Sequence, residues 1–99
     1  MSHRTAVTYE FGEFRLEASN HLLLRNGEVV SLPPKVIEML LMLVEEHGQV
    51  VSKDDLLERL SPNTVIEEGN LTQYIYTLRR AFGQKSYIET VPKRGYRFA

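Results

Sequence analysis

The residues best placed to do chemistry lie between Asn70 and Arg97. Thr72, Gln73, Tyr74, Tyr76, Thr77, Arg79 and Arg80 bring hydroxyl, amide, phenol and guanidinium groups into one short stretch, and no acid occurs from Asn70 to Tyr87. At 100° per residue, Leu71, Ile75, Leu78 and Phe82 share an arc of about 60°, which makes a core stripe on a helix. Opposite that stripe lie Gln73, Tyr76, Thr77 and Arg80, with Thr72 and Tyr74 on the flanks. Groups of these kinds donate to phosphates and to base edges: Gln suits adenine, Arg suits guanine, and the Thr methyl suits thymine. The same face also fits a solvated amphipathic helix with incidental arginines, because basic runs are commonly just wet surface.

A second basic cluster follows. Tyr87–Val91 and Tyr96–Phe98 are β-prone runs around Pro92-Lys93-Arg94-Gly95, which reads as a hairpin with a four-residue connection. Lys93 and Arg94 would sit at its tip, Gly95 would supply a positive φ, and Arg97 follows two residues later. A basic hairpin tip beside a basic helix offers two contact points about one groove apart, a clamp on phosphates and minor groove. Tyr96 and Phe98 are expected in the hairpin's core rather than stacked on bases, with the Tyr96 hydroxyl able to reach a phosphate.

Overall charge hides this arrangement. The 99-residue chain has a net charge of −1, but residues 1–70 carry six basic and twelve acidic side chains, a net of −6. Residues 71–99 carry six basic side chains (Arg79, Arg80, Lys85, Lys93, Arg94, Arg97) against Glu89 alone, a net of +5. Such asymmetry points to a nucleic-acid or membrane surface. A near-neutral total predicts weak non-specific binding by a monomer, and hence dependence on paired sites or an attached dimerising region.

Catalysis finds no converging set. His3, His21 and His47 are scattered, and the chain has no cysteine, which removes thiol chemistry, thiolate metal sites and disulfides together. Ser52, Asp54 and Asp55 read as helix capping rather than a nucleophile or metal site. There is no Gly-rich phosphate loop and no His-x-x-x-His, so no enzyme activity, cofactor or metal is expected. The longest apolar stretch, Met39–Val44, is far short of the roughly 18 residues of a membrane span, and the first residues lack the apolar core of a signal peptide. The expectation is a cytoplasmic domain without membrane contact of its own.

The elements that must hold these groups are legible from periodicity. At 42% hydrophobic the chain fits one domain, residues 1–99, with 1–8 expected to be poorly ordered. Tyr9–Phe11, Phe14–Glu17, Leu22–Arg25 and Glu28–Leu32 predict an antiparallel sheet of about four strands within 9–32, Asn26-Gly27 forming a type I′ turn. Residues 33–83 predict three helices. The first begins at Pro34, runs to about His47 with Gly48 as its C′ residue, and is apolar most of the way round. Gln49-Val50-Val51 reads as a connecting strand. Ser52 then caps Lys53–Leu60, with Asp55 in a weak capping box, and Pro62 follows that helix's end. Asn70 is the expected N-cap of Leu71–Phe82, with Gly83 closing it and 84–99 forming the hairpin.

Leu71-Thr72-Gln73-Tyr74-Ile75-Tyr76-Thr77-Leu78-Arg79-Arg80-Ala81-Phe82-Gly83, followed by Tyr87-Ile88-Glu89-Thr90-Val91-Pro92-Lys93-Arg94-Gly95-Tyr96-Arg97-Phe98, resembles the C-terminal effector domain of OmpR/PhoB-type response regulators and of ToxR/CadC-like regulators. Leu32-Pro33-Pro34-Lys35 and Val50–Leu57 match the same pattern, so the resemblance covers about Phe11 to Phe98. It implies an α+β winged helix-turn-helix: an N-terminal four-stranded antiparallel sheet, three helices and a C-terminal β-hairpin wing. The implied function is sequence-specific binding of double-stranded DNA as the output of a phosphorelay or membrane signalling system, by a homodimer or tandem copies.

Carried over by position, the family's DNA contacts fall on Gln73, Tyr74, Tyr76, Thr77 and Arg79, and in the wing on Thr90, Pro92 to Arg94, and Tyr96. The helical wheel adds Arg80 and moves Arg79 to a flank, where it could reach a phosphate or pair with an acid of its own domain. Asn70, Thr72 and Arg97 complete the candidate set. The resemblance also implies a contact with RNA polymerase through the loop holding Ser61, Asn63, Thr64 and Glu67, although Ser61 stands where many relatives carry Trp. The competing reading is a winged helix used for protein contact without DNA, since Tyr and Arg are enriched at such interfaces.

Overall fold

The computed structural model describes residues 7–62, 64–83 and 87–99. Four strands open the chain: β1 (Thr8–Phe11), β2 (Phe14–Glu17), β3 (Leu22–Arg25) and β4 (Glu28–Val30), an antiparallel meander in that order. Alternation along β2 turns Phe14 and Leu16 inward, and Leu16 sits opposite the equally buried Leu23 of β3. Asn26 and Gly27 have φ of 51° and 84°, as a type I′ turn between the paired Arg25 and Glu28 requires. β1 begins at Thr8, inside the stretch expected to be poorly ordered, while residues 1–6 lie outside the described residues. β4 stops at Val30 instead of Leu32.

Helix α1 (Pro34–Glu45) buries Val36, Ile37 and every residue from Met39 to Val44, so it is the central helix that its all-round apolar pattern predicts. It ends two residues before the expected His47. Gly48 does adopt a positive φ of 84°, but its N–H is donated to the Phe98 carbonyl at 2.9 Å, which ties the turn to the far end of the chain. Strand β5 (Val50–Ser52) is more than a connector. It pairs with β7 (Gly95–Phe98), which in turn pairs with β6 (Ile88–Val91), so the wing is a three-stranded sheet in the order β5-β7-β6.

Helix α2 (Lys53–Leu60) starts at its N-cap Ser52, whose Oγ accepts from Asp55 N at 3.0 Å. The Asp55 carboxylate lies 3.5 Å from Arg59 across one helical turn. Ser52→Ala is expected to cost about 1 kcal/mol, read as a lower urea midpoint with an unchanged m-value. A cost below about 0.3 kcal/mol would show that the cap contributes little to this helix.

Helix α3 (Glu68–Phe82) begins three residues earlier than the sequence suggests. Its N-cap is Glu67, and Asn70 is the third helical residue, reaching back with Oδ1 to accept the Glu67 N–H at 2.9 Å. Asn70 therefore secures the helix start from inside it, by the reciprocal half of a capping box. Leu71, Ile75, Leu78 and Phe82 are its buried stripe.

Candidate nucleic-acid interface

With that stripe buried, α3 presents Gln73, Tyr76 and Arg80 outward, and Tyr76 is 55% exposed. The Arg80 guanidinium lies over the Tyr76 ring at 5.9 Å, one turn away on the same face. Thr77 is half-buried and its hydroxyl donates to the Gln73 carbonyl at 3.0 Å; Thr72 leans in the same way on Glu68 O at 3.5 Å. Such back-bonding occupies the hydroxyl hydrogen and leaves the oxygen as an acceptor. Tyr74 is half-buried against the core, so its ring serves packing more than the reading face.

The wing differs from the sequence expectation at its tip. Val91 pairs with Gly95, which leaves a three-residue loop, Pro92-Lys93-Arg94, in place of four. Lys93 carries the positive φ, 65°, and Gly95 does not. Glycine at 95 answers a different demand. A Cβ there would overlap the Val51 carbonyl oxygen and lie 2.9 Å from Ser52 Cα, because β5 crosses directly over it. Behind the tip, Arg94 N donates to Val91 O at 3.0 Å, while Arg94 O accepts the Lys53 N–H at 3.1 Å. The wing loop thus supplies an acceptor for one of the unpaired donors at the start of α2.

Arg97 is not at the tip. It faces Glu89 across the β6–β7 pair with N–O distances of 3.1 and 3.3 Å, and this hydrogen bond, then the Glu89 charge, raises its pKa above the ordinary value. Tyr96 is only 4% exposed, which confirms packing over stacking. Thr90 and Arg79 meet each other: Arg79 Nη2 donates to Thr90 Oγ1 and to Ile88 O, each at 2.9 Å. Sequence reasoning missed Lys53. It lines both the cleft between Tyr76 and Tyr96 and the cleft beside Lys93 and Arg94, and it pairs with Glu68 at 3.2 Å. Its position directly after the capping Ser52 was the available signal. Among the described residues, Arg79, Arg80, Lys93 and Arg94 are the basic side chains of this surface with no acidic partner, and of these Arg79 is engaged by Ile88 O and Thr90 Oγ1.

In the loop before α3, Ser61 Oγ donates to Leu57 O and closes α2, Thr64 is exposed, and Val65 is 86% exposed. Asn63 and Lys85 lie outside the described residues. No helix among the described residues is long and apolar enough to cross a membrane.

Comparison with known proteins gives concordant results. The family model "Transcriptional regulatory protein, C terminal" matches residues 27–98. The chain is 38% identical over 93 residues to the transcriptional regulator HilA of Salmonella typhimurium, covering 91% of this chain and 17% of that protein, so it spans about a sixth of that relative. The DNA-binding domain of Escherichia coli CadC superposes with a TM-score of 0.80 at 29% identity, covering 98% of this chain and 94% of that one. The Klebsiella pneumoniae RstA DNA-binding domain, solved in complex with the RstA box, superposes with a TM-score of 0.78 at 29% identity over 93% of this chain and 96% of that one.

Proposed function

The chain belongs to the family of transcriptional regulatory protein C-terminal domains, and from that membership we propose that it binds double-stranded DNA sequence-specifically as the effector domain of a regulator. Helix α3 enters the major groove and the wing tip grips phosphate and minor groove. One observation carries this reading: the outer face of α3, free of acids from Asn70 onward, and the cations of the wing tip flank clefts that share Lys53, with Glu68 and Asp54 confined to the cleft at the helix start. Gln73, Tyr76, Thr77 and Arg80 read bases, while Lys93 and Arg94 hold phosphates. The family is one of transcriptional regulatory domains.

One recognition helix reads few base pairs, so specific binding uses two copies on paired or tandem sites. We further propose, from the family resemblance alone, that the loop before α3, which holds Ser61, Thr64 and Glu67, contacts RNA polymerase. Both functions place the domain in the cytoplasm.

A fluorescent duplex titrated at several salt concentrations tests the central claim. Log K should fall linearly with log[salt], and Lys93→Ala or Arg94→Ala should each weaken all sequences alike and reduce the slope by about 1. Gln73→Ala or Thr77→Ala should instead relax sequence choice, losing about 1–3 kcal/mol of discrimination per base contact. Absence of duplex binding even at low salt rejects the DNA reading and leaves the protein-contact module standing.

A further inference from the structure

Arg79 sits on the exposed side of α3, yet its guanidinium is directed back into the domain. Both hydrogens of Nη2 are engaged, one by the Ile88 carbonyl and one by Thr90 Oγ1, each at 2.9 Å. The two acceptors belong to β6, the outer strand of the wing sheet. The other strands of that sheet are held independently. β5 runs straight into the capped start of α2, and the Arg94 carbonyl at the tip receives the Lys53 N–H. β6 is the edge strand beside β7, and Arg79 ties it to the helix.

We propose that Arg79 is a positioning residue, which fixes the distance and angle between the recognition helix and the wing, and is not itself a phosphate contact. A phosphate approaching Nη2 competes with two formed bonds, which leaves only Nε and Nη1 to meet it. Holding the wing before DNA arrives lowers the ordering cost of binding, because the base-reading face and the tip cations then meet the duplex as one surface. Only this consequence rests on the DNA-binding reading; the tether itself belongs to the free protein.

The tether is tested first without DNA, by amide hydrogen exchange. In Arg79→Ala the amides of the β6–β7 ladder should exchange about tenfold faster relative to core amides such as those of α1, with Arg79→Lys intermediate. Ladder amides that are unchanged, or that accelerate only in step with the core, overturn the proposal. On DNA, Arg79→Ala should cost about tenfold in affinity in the otherwise native chain, but under about twofold when Lys93→Ala and Arg94→Ala are already present. A direct phosphate contact instead multiplies the losses and lowers the salt slope by a further 0.9 or so, and that result also overturns it. Should the native chain bind no duplex, the DNA reading falls while the exchange result still decides the tether.

Discussion

Gly95→Ala is expected to destabilise the domain by about 3 kcal/mol or more, because the added methyl meets backbone and not a side chain that can turn aside. The colliding atoms are the Val51 carbonyl oxygen and Ser52 Cα, both on β5. β5 cannot retreat at low cost, since Val51 is a buried core residue and Ser52 caps α2. Thermal unfolding should move down by roughly 12 °C or more, at about 4–8 °C per kcal/mol for a domain of this size. The displaced sheet carries Lys93 and Arg94 with it, so the variant should also bind duplex less tightly at temperatures where it is still folded. A loss under about 1 kcal/mol would mean that β5 and β7 have more room than their register implies. Lys93 makes the contrast: its positive φ is the turn's strained position, whereas the glycine serves the strand crossing.

That distinction marks where sequence reasoning runs out. Local patterns were readable: the Asn26-Gly27 turn, the cap of Ser52 on Asp55, the buried all-round helix and the α3 stripe came out as their spacing predicts. Each depends on residues within a few positions of one another. The pairing of Val51 with Tyr96 does not, and neither does the need for glycine at 95, which exists only once a distant strand lies over it. The start of α3 at Glu68, three residues before the position its sequence suggests, has a related cause. Asn70 suits an N-cap by residue type, but its side chain serves equally well from the third helical position, and the backbone takes the longer helix.

The candidate site divides in the same way. Which residues face outward on α3 follows from the helical period, and Gln73, Tyr76 and Arg80 do so. Which cations are available to a ligand does not follow from it. Arg97 is neutralised because strand register sets it opposite Glu89, and Arg79 is drawn inward because β6 brings a carbonyl and a threonine to its flank. The excess of five basic groups in residues 71–99 already cancels Arg97 against Glu89, but it does not show that Arg79, though still charged, has Nη2 turned inward. Arg80, Lys93 and Arg94 present charge without an acidic partner, and Lys53, which lines the neighbouring clefts, shares its own with Glu68 at 3.2 Å.

Phe82→Ala should cost about 3–5 kcal/mol, a large part of the 5–15 kcal/mol or so that holds a domain of this size folded. Phe82 is 3% exposed at the last turn of α3, where its ring meets Phe11 at 5.7 Å, Phe14 at 5.1 Å and Tyr87 at 5.3 Å, all edge-on. Phe11 and Phe14 come from the N-terminal sheet, Tyr87 from the entry to the wing, and Phe98 of β7 closes the group at 5.0 Å from Phe11. One ring therefore joins three parts of the chain that have no continuous backbone ladder between them. Its removal leaves a cavity bounded by rigid rings that cannot collapse into it, which puts the cost towards the upper end of that range. Phe82→Leu, which fills part of the space, should lose about half as much. Because the base-reading groups lie on the opposite face of α3, duplex affinity of the folded variant should change less than about twofold. Denaturant curves read by far-UV circular dichroism and by tyrosine fluorescence should stay coincident as they shift, since the sheet and the helices share this cluster. Two separated transitions in the native chain, or a loss under about 1 kcal/mol in Phe82→Ala, would show that the N-terminal sheet is attached by something other than these rings.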